Sequence, residues 1–361
     1  MKNNYLSRED TKILKGLAIV LMLMHHLWAF PDRIAGGSLK YNLTILGKSS
    51  LVFFGSFGKI CVALFMFLGG YGLYISLKGK KANIISKIYC LYCSYWKVFV
   101  IFIPIGFAFC RNQPNYCENV YLCTRYDNFL FIDCLKNIFG LSSCYNEEWW
   151  FLLSYVFAII AFPVVRAVVD KNTTKWNILI VIILNIMVLN ILPSIGKMEE
   201  LGILNNNFLY KKIICQSNYF VSFWMGVVVA KEKLLERISD EISNCSLLNP
   251  IGDIALILTI VLFRQALIGD SYDMIYVPFF VVAATDLINR IRFIRNLFEK
   301  IGKQSTNMWL IHTFCCYYFY PLVKIVVAPK WGLLSLFVLI IMSYVLSVLV
   351  SMFWNAVGKF C

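Results

Sequence analysis

The sequence predicts an all-α, polytopic membrane helix bundle of about ten transmembrane helices. Three observations support this fold class. Hydrophobic residues make up 60% of the 361 residues and charged residues only 15%, a balance far from that of a soluble domain. Apolar runs recur along the whole chain, and several are long enough to cross about 30 Å of hydrocarbon as helices. Short basic segments separate the runs, and no internal repeat or appended soluble domain interrupts them.

Ten apolar segments account for the predicted spans. Five of them are uniformly apolar and have about the 20 residues that a span needs: Gly16 to Pro31, Ile60 to Leu77, Trp149 to Val165, Trp176 to Ile195 and Trp331 to Trp354. The other five are shorter or less uniform, so they require flanking residues or burial against neighbours. They are Val98 to Cys110, Ser217 to Ala230, Ile251 to Leu267, Met274 to Thr285 and Met308 to Leu322.

Basic residues orient the predicted bundle. With ten spans and a cytoplasmic N-terminus, the cytoplasmic segments hold 20 Lys and Arg and the external segments 11, which agrees with the positive-inside bias. We therefore expect a multi-pass plasma-membrane protein with both termini in the cytoplasm. The net charge of +14 is scattered over short loops, which favours anionic membrane lipid or a cytosolic anion as partner and disfavours nucleic acid. Frequent Lys, Ile and Asn indicate a bacterial chain.

The longest predicted external segment covers residues 111–148. Loops of this length usually carry function or structure of their own, and a sugar-binding loop and a covering flap both fit its mixture of charges. An odd set of cysteines lies in or beside it, so a partial disulfide framework and free thiols both remain open. The cysteine spacing along the chain indicates no metal site. The cysteines of this segment are Cys110, Cys117, Cys123, Cys134 and Cys144.

The first apolar run contains the most informative pair, Lys15 and His26. Eleven helical residues make three full turns plus about 20° and rise roughly 16 Å, so both side chains project from one face at two depths. His25 points about 100° away. The run thus predicts an anion anchor at the membrane surface and a proton acceptor well inside, although a lysine near a span end also commonly snorkels to the interface.

Four motifs together resemble the acyltransferase 3 family of multi-spanning membrane enzymes, which acylate carbohydrates. The run KGLAI at 15–19 followed by His26 is similar to the family's opening signature, in which an arginine precedes a histidine by eleven positions; here Lys15 replaces the arginine. Three later runs are similar to further family motifs, and Lys87 followed by Tyr95 and Trp96 is similar to a basic patch before the third span. The later runs are GKICVALFMFLGGY at 58–71, EWWFL at 148–152 and STNMWLIH at 305–312.

The resemblance implies one integral-membrane acyltransferase domain over residues 1–361. It implies acetyl-CoA, or another acyl-CoA, as co-substrate without a tightly bound cofactor, and a hydroxyl of a surface or lipid-linked carbohydrate as acceptor. His26 is then the expected catalytic residue, acting either as general base or through a covalent acyl-imidazole. The expected substrate-binding residues are Lys15, Lys87, Glu148, Trp150 and His312.

Two alternatives remain open from the sequence. A transporter of a glycan or lipid-linked intermediate would use the intramembrane His and Lys to gate an anionic substrate without chemistry. A different class of membrane acyltransferase would instead centre on a histidine late in the chain, which makes His312 essential and His26 dispensable. Basic residues near the cytoplasmic surface, Lys80, Lys81 and Lys87, fit either phosphate binding or topology.

Overall fold

The computed structural model describes residues 5–36, 39–40, 44–45, 47–78, 83–191, 208–244 and 249–358, and helices dominate these ranges. Each of the ten predicted apolar segments overlaps a described helix, so the predicted all-α class is confirmed. In the first half of the chain the helices are α1 (Arg8–Trp28), α2 (Ser50–Gly58), α3 (Ile60–Ser76), α4 (Ile84–Phe109), α5 (Val120–Cys123), α6 (Phe131–Ile138), α7 (Trp150–Lys171) and α8 (Thr174–Ile186).

The second half continues the helical pattern. Its helices are α9 (Phe208–Glu232), α10 (Leu234–Asn244), α11 (Pro250–Phe263), α12 (Asp273–Arg290), α13 (Arg292–Lys303), α14 (Ser305–Thr313), α15 (Tyr320–Val327) and α16 (Gly332–Val357). Among the described residues the strands are limited to β1 (Thr44–Ile45) and β2 (Lys48–Ser49), which pair antiparallel. Tight or wide helical turns join several helices: 3₁₀ turns at Pro31–Arg33 and Glu147–Trp149, and π-helical turns at Arg264–Ile268 and Phe314–Tyr318.

The expected count of about ten spans is not confirmed. Within the described ranges, six helical stretches are long and apolar enough to cross a membrane. A seventh is reached if Ser305–Tyr318 and Tyr320–Val327, which meet at a bend of 86°, form one broken span. Several of the remaining predicted segments are short helices; α11, for example, has 14 residues and reaches only about 21 Å.

Helix α1 starts earlier and ends earlier than the predicted span from Gly16 to Pro31. A capping box fixes its start, because the Asp10 amide donates to Ser7 Oγ (3.0 Å) and the Ser7 amide donates to Asp10 Oδ2 (3.0 Å). Pro31 disfavours helical backbone in the residue before it, consistent with the end at Trp28. Lys15 therefore lies about 10 Å into the helix and His26 about 3 Å from its end. The depths of Lys15 and His26 in the membrane stay a prediction.

The chain divides into two compact units. The first comprises Met1–Ala18, Ile60–Asn83 and Ser154–Glu299. Its α3 and α9 meet backbone to backbone: a Cβ on Gly70 would lie 2.1 Å from the Phe223 carbonyl oxygen, and one on Gly226 would lie 2.2 Å from the Phe67 carbonyl oxygen. Small residues allow such close helix packing in membranes.

The second unit comprises Ile19–Lys59, Ile84–Leu153 and Lys300–Cys361. Indole side chains tie its helices to backbone carbonyls. Trp28 Nε1 donates to the Gly332 carbonyl (3.1 Å), and Trp354 Nε1 donates to the carbonyl of Lys97 (3.0 Å). Because such carbonyls lack water inside a bilayer, these donors stabilise the places where the helices end or meet. This unit holds the candidate site.

Candidate active site

His26 and Glu148 meet inside the second unit. His26 lies in the last turn of α1, and Glu148 lies in the 3₁₀ turn that precedes α7. The Asn146 side chain caps that turn by accepting a hydrogen bond from the Glu148 amide (3.1 Å). His26 Nδ1 is 3.7 Å from Glu148 Oε1, and both side chains are about nine-tenths buried, with 10% and 12% exposed. The imidazole thus faces a carboxylate at a distance slightly longer than a hydrogen bond.

Arg33 also lies close to this carboxylate oxygen. Its Nη1 atom is 3.6 Å from Glu148 Oε1, and its guanidinium lies 4.3 Å from the centre of the Phe30 ring. Burial acts to lower the pKa of Arg33, but Tyr317 and Glu148 outweigh it and raise this pKa above its ordinary value. Arg33 therefore supplies a permanent positive charge beside the buried carboxylate.

His25 is held away from this cluster, as the helix register predicts. Its Nδ1 donates to the Gly55 carbonyl oxygen at 2.8 Å. Helix α2 packs unusually close to the end of α1, because a Cβ on Gly58 would lie 2.4 Å from the Leu21 carbonyl oxygen and one on Gly55 would lie 2.6 Å from the Ala29 amide. This contact fixes the rotation of α1, so that His26 faces Glu148.

His312 completes a group of imidazoles around His26. The ring centres of His26 and His312 are 5.0 Å apart. His312 Nδ1 donates to the Trp309 carbonyl oxygen (2.7 Å), which fixes the tautomer of the neutral ring. Its Nε2 is buried and has no hydrogen-bond partner among the described residues. An acceptor nitrogen is therefore available beside His26.

Two tyrosines hold the backbone around the cluster. The Tyr317 hydroxyl donates to the His26 carbonyl, and the Tyr116 hydroxyl donates to the Tyr317 carbonyl. Tyr317 belongs to the π-helical turn Phe314–Tyr318, and such turns are frequent at functional sites. The chain of hydrogen bonds connects the end of α1 to the wide turn that follows α14.

The neighbouring acid, Glu147, has separate partners. Arg125 Nη2 donates to Glu147 Oε1 at 2.5 Å, and the Glu147 amide donates to the Tyr318 hydroxyl at 3.1 Å. Two adjacent carboxylates therefore pair with two different arginines. Glu148 is left to face His26.

Residues 10–353 match the model of the acyltransferase 3 family, which is described as an acyltransferase domain. The chain belongs to this family. The resemblance of its motifs is thereby confirmed, and the protein is a membrane acyltransferase. No curated protein and no solved structure matches the chain.

Trp149 and Trp150 of this acyltransferase have different surroundings. Trp149 is 1% exposed, and its indole donates to the Leu310 carbonyl oxygen (3.0 Å). Its ring also lies 4.9 Å from that of Tyr95, so Trp149 is a packing residue. Trp150, the expected substrate contact, lies with its side chain in hydrogen-bonding reach of the Glu148 carboxyl group.

The lysines predicted to bind substrate, Lys15 and Lys87, do not lie beside His26. Lys15 shares the continuous helix α1 with His26 and belongs to the first unit. Lys87 is exposed near the start of α4, and no described contact joins it to the His26 cluster. Lys80 and Lys81 lie outside the described residues. Of the expected site residues, the structure brings together His26, Glu148, Trp150 and His312.

Sequence reasoning missed Arg33 and Tyr317. Arg33 counted only as an external charge, because nothing in the family motifs includes the turn Pro31–Arg33. A usable signal was its position seven residues after His26, two residues past the proline that follows the helix. In the described parts of the chain, no three His, Cys, Asp or Glu side chains are arranged to hold a metal ion.

Proposed function

We propose that this member of the acyltransferase 3 family is a membrane O-acyltransferase. It moves an acyl group, in the first instance acetyl, from acyl-CoA to a hydroxyl of a cell-surface or lipid-linked carbohydrate. The observation that carries the proposal is that one Glu148 oxygen lies close to both His26 and Arg33, at 3.7 and 3.6 Å. An imidazole oriented by a carboxylate is the usual arrangement for activating a hydroxyl group.

His26 is the general base of the proposed reaction. Its ring takes the proton from the acceptor hydroxyl as the oxygen attacks the thioester carbonyl, and the carbon–sulfur bond then breaks. The proton passes to the departing thiolate, which leaves as CoA thiol. Catalytic hydrogen bonds are often long in structures without substrate, so the 3.7 Å gap to Glu148 is expected to close when substrate binds. An acyl-imidazole on His26 remains the second route to the same product.

Glu148 and Arg33 act together in this proposal. Glu148 stabilises the imidazolium that forms when His26 takes the proton, and the positive charge of Arg33 favours the ionised form of the buried carboxylate. His312 accepts a hydrogen bond from the carbohydrate through Nε2, since its Nδ1 is occupied by Trp309. Trp150, beside the Glu148 carboxyl group, contacts the same substrate.

Lys15 anchors the anionic part of the donor. Helix α1 is continuous, so Lys15 and His26 project from one face with a rise of roughly 16 Å. Acyl-CoA is a long molecule with phosphates at one end and the thioester at the other, which suits this spacing. Lys87 contributes positive charge near the start of α4. We propose the plasma membrane of a bacterium as the location, with both termini in the cytoplasm.

Purified protein in lipid nanodiscs, incubated with acetyl-labelled CoA and crude cell-envelope glycan, tests the proposal. We expect label in the glycan with the unmodified protein and none with His26→Ala. A matched His312→Ala variant distinguishes the family mechanism from one centred on the late histidine, because His26→Ala must be the more severe of the two. Absence of label with several acyl-CoA donors, despite folded protein, would support glycan transport.

A further inference from the structure

A run of large apolar side chains is exposed on residues 129–141, here called the Phe131 segment. This segment contains helix α6 and lies between α4 and α7, in the part of the chain that the charge pattern predicts to be external. Exposed apolar patches of this size mark a protein or membrane contact. The exposed side chains are Phe129, Leu130, Phe131, Ile132, Phe139 and Leu141, with Phe131 the most exposed at 69%.

Three donors from α4 satisfy the carbonyl groups at the end of α6. The Tyr95 hydroxyl donates to the Asn137 carbonyl (2.6 Å), and Trp96 Nε1 donates to the carbonyl of Ile138 (2.9 Å). The Tyr92 hydroxyl donates to the Phe139 carbonyl (2.8 Å). The last carbonyls of a helix have no intrahelical partner, and water ordinarily satisfies them at a surface. Three consecutive side-chain donors are what such carbonyls need where water is absent.

The depth of these donors follows from the length of α4, taken as a membrane span. Its 26 residues span about 38 Å, and the hydrocarbon layer takes about 30 Å of that length. Tyr95 lies about 16 Å from one end of the helix and about 21 Å from the other. The overhang of about 8 Å is too small to bring Tyr95 out of the hydrocarbon at either side. The carbonyls bonded to Tyr95 and Trp96 lie at the same depth.

We propose that the Phe131 segment is a re-entrant element, which leaves the end of α4, returns into the membrane along that helix, and turns its exposed apolar side chains towards lipid acyl chains. Its charges, Asp133 and Lys136, occupy one side of α6, where the long lysine stem carries its ammonium towards the interface. This inference does not depend on the reaction that the protein catalyses.

The re-entrant element also leads directly into the candidate site. Asn137, which is fully buried, donates from Nδ2 to the Asp133 carbonyl (2.8 Å) and accepts from the Tyr145 amide at Oδ1 (3.4 Å). Tyr145 is followed by Asn146, which caps the turn that carries Glu148. The lipid-embedded segment thus fixes the start of that turn.

Thiol labelling in nanodiscs tests the proposal. Phe131→Cys and Asn115→Cys are compared in the otherwise native chain, using a membrane-impermeant maleimide and peptide-level mass spectrometry of the added cysteine. Maleimide reacts with the thiolate, which does not form in hydrocarbon. We expect Asn115→Cys, at an exposed position of the same predicted external segment, to react and Phe131→Cys to react at least about tenfold more slowly.

Three controls make the result decisive. Both cysteines must react equally after unfolding in SDS, and both variants must melt at the same temperature as the unmodified protein. If Phe131→Cys fails to fold, Ile132→Cys replaces it, since Ile132 is also exposed (55%). Because these positions are exposed on the protein, their protection in nanodiscs that hold one copy of the chain must come from lipid. Equal labelling of the folded Phe131→Cys and Asn115→Cys proteins would overturn the proposal.

Discussion

His26 Nδ1 and Arg33 Nη1 both lie close to a single carboxylate oxygen of Glu148, at 3.7 and 3.6 Å. The three residues come from the end of α1, the turn after it and the turn before α7. The arrangement couples the charge of the acid to the protonation of the imidazole.

Replacing Glu148 by Gln tests the acid. The substitution keeps the shape of the side chain and removes the charge that stabilises protonated His26, so we expect kcat to fall about 100-fold or more. Acyl transfer to glycan is the measurement. Glu147→Gln is the matched control, because its partner is Arg125, and it should leave kcat nearly unchanged. Equal losses in both variants would show that the turn, rather than the Glu148 charge, is required.

Arg33→Ala tests the cation that sequence reasoning missed. Removing Arg33 leaves a buried carboxylate without its positive partner, which favours the protonated acid, and we expect kcat to fall about tenfold or more. Arg111→Ala, at an exposed arginine, is the control. In the double variant with Glu148→Gln the two losses should not add, because both act through one carboxylate. Additive losses would separate Arg33 from Glu148.

Lys15→Ala tests the donor anchor. We expect the KM for acyl-CoA to rise about tenfold while kcat changes little, because the lysine contacts the non-reacting end of the donor. Lys15→Arg should restore most of the affinity, since the charge is kept. Lys12→Ala, one turn earlier and exposed, provides the comparison. An unchanged KM in Lys15→Ala would leave this lysine as an ordinary interfacial residue.

Gly226→Ala tests the packing of the first unit. A Cβ there would lie 2.2 Å from the Phe67 carbonyl oxygen, so α3 and α9 must separate, at a cost of about 1–3 kcal/mol in the free energy of unfolding. Thermal unfolding in detergent is the measurement. Gly72→Ala on α3 meets nothing within 4 Å and should be neutral. A normal melting temperature for Gly226→Ala would contradict the close helix contact.

Tyr95→Phe tests the cap on α6. It removes only the hydroxyl that donates to the Asn137 carbonyl, and a buried unsatisfied carbonyl costs about 1–3 kcal/mol. Melting temperature is again the measurement. Tyr89→Phe, on the same helix with a half-exposed ring, should show little change. If the two variants melt alike, water must reach the Asn137 carbonyl.

Much of the fold followed from the sequence because apolar runs are long and the cost of leaving backbone groups unpaired in lipid allows few alternatives. The face shared by Lys15 and His26 followed from helical periodicity alone. The helix boundaries did not follow from the sequence. Helix α1 begins in a polar stretch, because the hydrogen bonds between Ser7 and Asp10 stabilise its start there. Hydropathy also did not indicate that a segment such as α11 forms a helix of only 14 residues.

The candidate site was predictable only in part. His26, Glu148 and His312 lie in runs that resemble family motifs, which is why they were found. Arg33 and Tyr317 come from a turn and a π-helical turn, whose side-chain directions depend on tertiary contacts that no local pattern encodes. Gly70 lies within the continuous helix α3 and admits a neighbouring backbone, which hydropathy does not indicate.

The close seating of α2 against the end of α1 has a consequence for other proteins that match this family. Gly55 and Gly58 set which of two adjacent histidines faces Glu148, so these positions shape the proposed site as much as the histidines do. A relative with a bulkier residue at either position must turn its first helix differently. Its reactive histidine would then have to be identified from its own geometry rather than by alignment.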